Sequence, residues 1–185
     1  MPEVTSQLWT VGHGKRSTEA LITLLSDQGV GLLVDVRRYP ASRRNPQFGR
    51  ARLDAELARH GLGYQWWGQS LGGRRSPVPG GGRHPAWNDD AFRGYADHMD
   101  QPGFREAFSQ LLTVARQVPT AVMCSETVWW RCHRRLLGDA ALLAGIPVVH
   151  LVSPGYSEPH RLHPAVRLGE DGWPVYDVGV QPELL

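Results

Sequence analysis

Between Thr120 and Arg135 the chain reads TAVMCSETVWWRCHRR, and two thiols, a carboxylate, an imidazole and three guanidinium groups fall within those sixteen positions. A thiolate is a strong nucleophile and a soft metal ligand, and neighbouring cations such as Arg131, His133 and Arg134 lower a thiol's pKa. Cys124 is therefore a candidate nucleophile, and Cys132 a second activated thiol at a probable helix start. Glu126 is a candidate general base, or an orienting partner for His133 or an arginine. Each residue also has an ordinary alternative: cysteine is often a small buried hydrophobe, and a glutamate among arginines is often a structural ion pair. The spacing Cys-x7-Cys-His matches no zinc signature, so a divalent metal would need a further ligand such as His13 or Glu126. No cofactor is predicted. The cysteine-x5-arginine phosphate cradle is also missed, since Arg131 lies seven positions after Cys124.

A strand-to-helix turn would present these groups together. Ala121 to Met123 reads as a short buried strand, and Leu136, Leu137, Ala140, Ala141 and Leu143 recur at helical spacing in a helix from about Cys132. Upstream, Leu8 to Val11 forms a first strand ended by Gly12-His13-Gly14. Ser17 then caps a helix that carries Leu21, Ile22, Leu24 and Leu25 and closes at Gly29. Leu32 to Val36 is a continuous apolar run, as in strands covered on both faces, interrupted by Asp35 and followed by Arg37 and Arg38. Tyr39 to Gly49 is a loop, 51–60 a helix, and 65–85 a long binding loop without a regular element. Helices are expected over 89–99 and 104–117, and a last parallel strand over 146–152 carries His150. Residues 166–178 read as a hairpin forming an edge ribbon. The pattern is that of one α/β domain over residues 1–185, three-layered, with a mostly parallel sheet, helices on both faces and a C-terminal β-hairpin.

In such a sheet the carboxyl ends of parallel strands lie along one edge, where α/β proteins bind ligands. Three strands here end in reactive or anion-binding residues: His13 after the first, Asp35 and Arg37 after the second, Cys124 and Glu126 after the central one. His13, His133 and Asp35 join the candidates for proton transfer. Arg37, Arg43, Arg44 and Arg134 are candidates to hold an anion, because the guanidinium fork fits phosphate.

Charge points the same way. Nine arginines fall between Arg37 and Arg75 against only Asp54 and Glu56, although the whole chain carries just +2. Lys15 is the only lysine, so part of this block reflects arginine replacing lysine throughout. Mixed with Tyr39, Phe48, Trp66 and Trp67, the arginines resemble the phosphate-binding and base-stacking sets of single-stranded nucleic-acid sites. The expected partner is an anionic substrate, a nucleotide or a single-stranded nucleic acid. No apolar run approaches the roughly 18 residues of a membrane span, and the first residues lack a secretory pattern. Two cysteines are too few for a disulfide scaffold; the expected location is the cytoplasm.

Several segments together resemble the domain of unknown function 488 family: VGHG near the start, LVDVRRYPASRRNPQF, Leu71-Gly72-Gly73, the helix carrying Phe92 and Tyr95, and MCSE followed by Cys132-His133-Arg134. The chain departs from the family pattern at Gly14, where a serine is usual, and in the spacer Thr127 to Arg131, which lacks the usual proline. The resemblance implies an α/β domain with motifs suggestive of enzymatic activity and no settled reaction. The expected function is hydrolysis or group transfer on a phosphate-bearing or nucleic-acid-derived substrate. The alternatives are a non-catalytic nucleic-acid-binding module and a thiol or metal sensor built on Cys124 and Cys132.

Overall fold

The computed structural model describes residues 7–41 and 43–180. Its elements run β1 (Leu8–Gly12), α1 (Thr18–Ser26), β2 (Leu32–Asp35), α2 (Arg50–Arg59), β3 (Gly63–Trp66), the single-turn α3 (Gly68–Leu71), α4 (Asp90–Met99) and α5 (Pro102–Gln117). They continue with β4 (Thr120–Cys124), α6 (Arg134–Leu143), β5 (Val148–Ser153), β6 (Tyr156–Pro159), β7 (Val166–Leu168) and β8 (Pro174–Tyr176). Six strands form one sheet in the order β3-β2-β4-β1-β5-β6, all parallel except β6. Helices cover both faces, as the alternation of elements requires.

The strand period of two sorts the central residues between the layers. Ala121 and Met123 of β4 face the core made by Leu21, Leu25, Leu53 and Leu57 of α1 and α2. Val122 and Cys124 face the opposite core, built on Tyr95, Phe104, Phe108, Leu136 and Leu137 of α4, α5 and α6. The caps follow their local chemistry: Ser17 Oγ accepts from Ala20 N at 3.1 Å and Asp89 Oδ1 from Ala91 N at 2.9 Å.

Two expectations are corrected. Residues 65–85 do contain regular structure, because β3 ends at Trp66 and α3 follows. β3 is an edge strand with alternating exposure, so it lacks the apolar run that marked its partners. The 166–178 hairpin is not the sheet's edge ribbon: β7 and β8 pair only with each other, and β6, a polar antiparallel return, occupies the edge. Burial explains this placement, since Tyr176 of β8 is fully buried in the core under α6.

That tyrosine ends a buried polar chain. Arg134 Nη1 donates to Thr10 Oγ1 at 3.3 Å, Thr10 Oγ1 lies 2.6 Å from His150 Nδ1, and His150 Nε2 lies 2.9 Å from His160 Nδ1. His160 Nε2 then reaches Asp139 Oδ1 at 2.9 Å, and Tyr176 OH donates to Asp139 Oδ2 at 2.8 Å. One proton arrangement satisfies every member: Thr10 donates to His150, which donates to His160, which donates to the carboxylate. Burial, helped by His160 and the Arg134 charge, pushes His150 down to about 2.

A histidine held neutral in the fold but protonated in the unfolded chain contributes full stability above its unfolded pKa and loses it as pH falls. Urea unfolding is therefore expected to show constant stability above about pH 6.5 and a decline below it, with a slope of up to ~1.4 kcal/mol per pH unit from His150. A flat profile from pH 7.5 to 5 would contradict this. Tyr176→Phe, which leaves Asp139 Oδ2 without its donor, should cost ~1–3 kcal/mol at neutral pH in the same assay.

Candidate functional site

Parallel pairing sets the ends of β1, β2 and β4 side by side, with Gly12 opposite Cys124 and Asp35 opposite Met123. The turn after β4 then folds over the end of β1. A Cβ on Gly12 would stand 2.0 Å from Glu126 O, so only glycine permits the approach. His13 N donates to Cys124 O and Gly14 N to Ser125 O, both at 3.0 Å. From α6, Arg134 closes the clamp by donating to the carbonyls of Glu126 and Thr127.

Inside this turn the two thiols meet. Cys124 Sγ lies 3.9 Å and Cys132 Sγ 3.6 Å from His133 Nδ1, and Arg134 Nε donates to Cys132 Sγ at 3.4 Å. Both cysteines are buried and unpaired by any disulfide. Burial alone would push the Cys132 thiol up, but the bond from Cys124 and the Arg134 charge bring it down to about 6. The same bond from the other side, reinforced by burial, pushes Cys124 up to about 12. The Arg134 cation beside Cys132 Sγ thus favours negative charge on Cys132 over Cys124. Gly73 packs against the imidazole so closely that a Cβ there would lie 2.7 Å from His133 Nδ1, and Tyr95 OH pins that segment by donating to Leu71 O at 2.8 Å.

A second cluster lies beside it. Asp35 accepts from Arg37 Nε at 2.9 Å and Nη2 at 2.6 Å and from Tyr64 OH at 2.7 Å, and Arg37 Nη2 also reaches Phe48 O at 2.8 Å. Arg37 Nη1 is left to face His13 Nε2 at 3.3 Å. His13 stacks on Phe48 with ring centroids 4.1 Å apart, and its Nδ1 lies 2.9 Å from Gly14 O. Burial, with the Arg37 charge, pushes His13 down to about 4, so it is neutral near pH 7.

A cleft of about 1050 Å³ opens above both clusters. Cys124, Cys132, His133 and His13 lie at it, and Lys15, Arg38, Arg44, Arg74 and Arg131 surround it against only Asp89 and Glu126. Glu126, expected to be sunk at a strand end, is exposed, with Oε1 accepting from Val128 N at 3.3 Å. Tyr39 stands at the lip, 59% exposed, with Arg38 5.4 Å and Arg74 6.0 Å from its ring.

Other expected members take different places. Asp35 is fully buried and spends its oxygens on Arg37 and Tyr64, so it positions that arginine and does not line the cleft. Arg134 is 1% exposed and engaged by backbone, Thr10 and Cys132, which leaves it unable to grip an anion. Trp66 donates from Nε1 to Arg37 O at 2.8 Å and lies under Arg50 at 4.8 Å, away from the cleft. Arg43 is exposed and outside the lining, whereas its neighbour Arg44 belongs to it. Neither His13 nor Glu126 joins the thiols; the third donor atom is His133 Nδ1.

Residues 17–141 match the family described as a domain of unknown function, DUF488. The chain belongs to the DUF488 family. No curated protein matches it, and no solved structure does. The matched segment carries Arg37, both thiols and His133, whereas His13 and most of the His150–His160 chain lie outside it.

Sequence reasoning about this DUF488 chain passed over Lys15, Arg38 and Arg74 as cleft cations. Arg38 and Arg74 were visible only as members of the arginine block. Arg74 has a further signal that only coordinates reveal: it is the one non-glycine at positive φ (58°) among the described residues. That conformation costs a side-chain-bearing residue ~1 kcal/mol, and here it places a cation beside Tyr39. Arg74→Gly is therefore expected to match or exceed the parent in melting temperature, because the strain leaves with the side chain. A clear drop in melting temperature on that substitution would contradict the strain.

Proposed function

We propose that this protein is an enzyme of the hydrolase or group-transfer class that acts on a phosphate-bearing or nucleic-acid-derived anion held in the cleft. The observation that carries this reading is an excess of positive charge without ion-pair partners. Lys15, Arg38, Arg44, Arg74 and Arg131 converge on one cavity, and among the described residues none of them pairs with a carboxylate. Such a group repels itself unless an anion completes it, and arginine forks fit phosphate oxygens two at a time. Tyr39, exposed between two guanidinium groups, offers a face on which a base can stack, which favours a nucleotide or single strand over bare phosphate.

In this reading Arg38, Arg44, Arg74 and Lys15 hold the anion, and Arg37, locked by Asp35, holds His13 at the edge of the same cavity through Nη1. Cys124, Cys132 and His133 form the reacting floor, and Glu126 at the lip exchanges protons with water. A non-catalytic binding module built on the same cations is the competing reading, favoured by the exposed Tyr39 alone.

Fluorescence anisotropy of labelled single- and double-stranded oligonucleotides across a salt series, with mass spectrometry of the same samples, separates these readings. Binding should weaken with salt, and the double substitution Arg38→Ala, Arg44→Ala should lower affinity about tenfold or more and reduce the salt slope by ~0.7 per lost phosphate contact. Product should appear with the parent chain and vanish in Cys132→Ser while binding persists. Binding without product in either chain supports the module. No binding of oligonucleotides or mononucleotides at low salt overturns both.

A further inference from the structure

The floor of the cleft has the donor set and the dimensions of a metal site. Cys124 Sγ, Cys132 Sγ and His133 Nδ1 all lie within 4.8 Å of one another, the two sulfurs 3.9 and 3.6 Å from the nitrogen. Around a tetrahedral zinc ion, sulfur at ~2.3 Å and nitrogen at ~2.0 Å stand about 3.6 Å apart along each edge. One ion therefore fits against this triangle, displaced from its plane, with side-chain shifts of no more than about an ångström. We propose that Cys124, Cys132 and His133 bind Zn2+ through three of its four positions, the fourth facing the cleft.

The surroundings suit such an ion. Among the described residues His133 Nδ1 meets only the two sulfurs, and Nε2 on the far side of the ring meets no hydrogen-bond partner. Arg134 Nε, donating to Cys132 Sγ, supplies the outer hydrogen bond that orients a metal-bound thiolate. Two soft sulfurs and an imidazole select zinc-like ions over Mg2+ or Ca2+, which prefer oxygen. Two thiolates cancel the ion's charge, so the cleft keeps its basic character. Among the described residues no fourth histidine, cysteine or carboxylate completes the group. Three protein ligands with one open position are the mark of a catalytic rather than a structural zinc, and the open position here belongs to water or to an oxygen of the bound anion. That last role rests on the anion-binding reading above; the ion's binding does not.

The sequence spacing hid the site because Cys132 and His133 are adjacent, so two ligands come from consecutive residues just before α6 and the third from the end of β4.

The test uses the full chain stripped with a chelator and titrated with Zn2+ in competition with a chromophoric chelator. One ion per chain is expected, and Co2+ in its place should give thiolate-to-cobalt charge-transfer absorption with the visible bands of a four-coordinate centre. Cys132→Ser and His133→Ala should each weaken Zn2+ binding about a hundredfold or more, with circular dichroism confirming the fold. If Cys132→Ser does not fold, the half-buried His133 variant and the cobalt spectrum of the parent chain still decide. No stoichiometric Zn2+, a cobalt spectrum without sulfur bands, or unchanged affinity in His133→Ala overturns the proposal. Oligonucleotide anisotropy on the stripped chain keeps the two readings apart. Binding there with no zinc site sinks only this inference, and a zinc site without anion binding sinks only the proposed function.

Discussion

A guanidinium that is almost wholly buried, that of Arg134, joins the parts of this site. One edge of its fork holds the carbonyls of Glu126 and Thr127, Nη1 holds Thr10 on β1, and Nε holds the Cys132 sulfur. Burying a charge is costly unless its donors are met, and each of these contacts meets one. The turn after β4 cannot relax without stranding that charge. The thiols therefore keep their separation because a cation behind them needs its partners.

The same constraint explains why a polar chain runs through the far side of the molecule. Thr10 can accept from Arg134 only if its own proton goes elsewhere, and His150 takes it. His150 must then donate onward to His160, and His160 to the Asp139 carboxylate that Tyr176 shares. Tyr176 brings the small hairpin into the core, so the C-terminal β7–β8 unit and the thiol turn are tied through one line of hydrogen bonds. Trp129, stacked 4.0 Å over His150, covers that line from solvent.

Two kinds of arginine coexist at the cleft. Arg37 and Arg134 are consumed by the protein itself, one by Asp35 and one by main-chain carbonyls. Arg38, Arg44, Arg74 and Arg131 have no carboxylate partner among the described residues and line the cavity. Composition cannot separate the two classes, because the distinction lies in what each fork has already bound. Arg43 and Arg44 show how fine it is: neighbours in sequence, they fall on opposite sides of the cleft's boundary.

Much of the architecture was legible in the linear chain, since apolar runs, helical spacing and caps are local properties. The strands at Leu8, Leu32, Ala121 and Val148, the five longer helices and the convergence of three strand ends follow from such patterns. β3 and β6 did not announce themselves, because short edge strands carry one polar face and gain their hydrogen bonds from a partner far along the chain. Cys124, Cys132, His133 and His13 were recognisable as reactive types, and they do meet at one cavity. Which thiol the Arg134 cation favours for negative charge, which histidine joins the sulfurs, and that Asp35 and Arg134 serve the scaffold were decided only by tertiary structure. The reason is physical: a residue's type sets what it can bond, whereas its role depends on which partners reach it first in three dimensions.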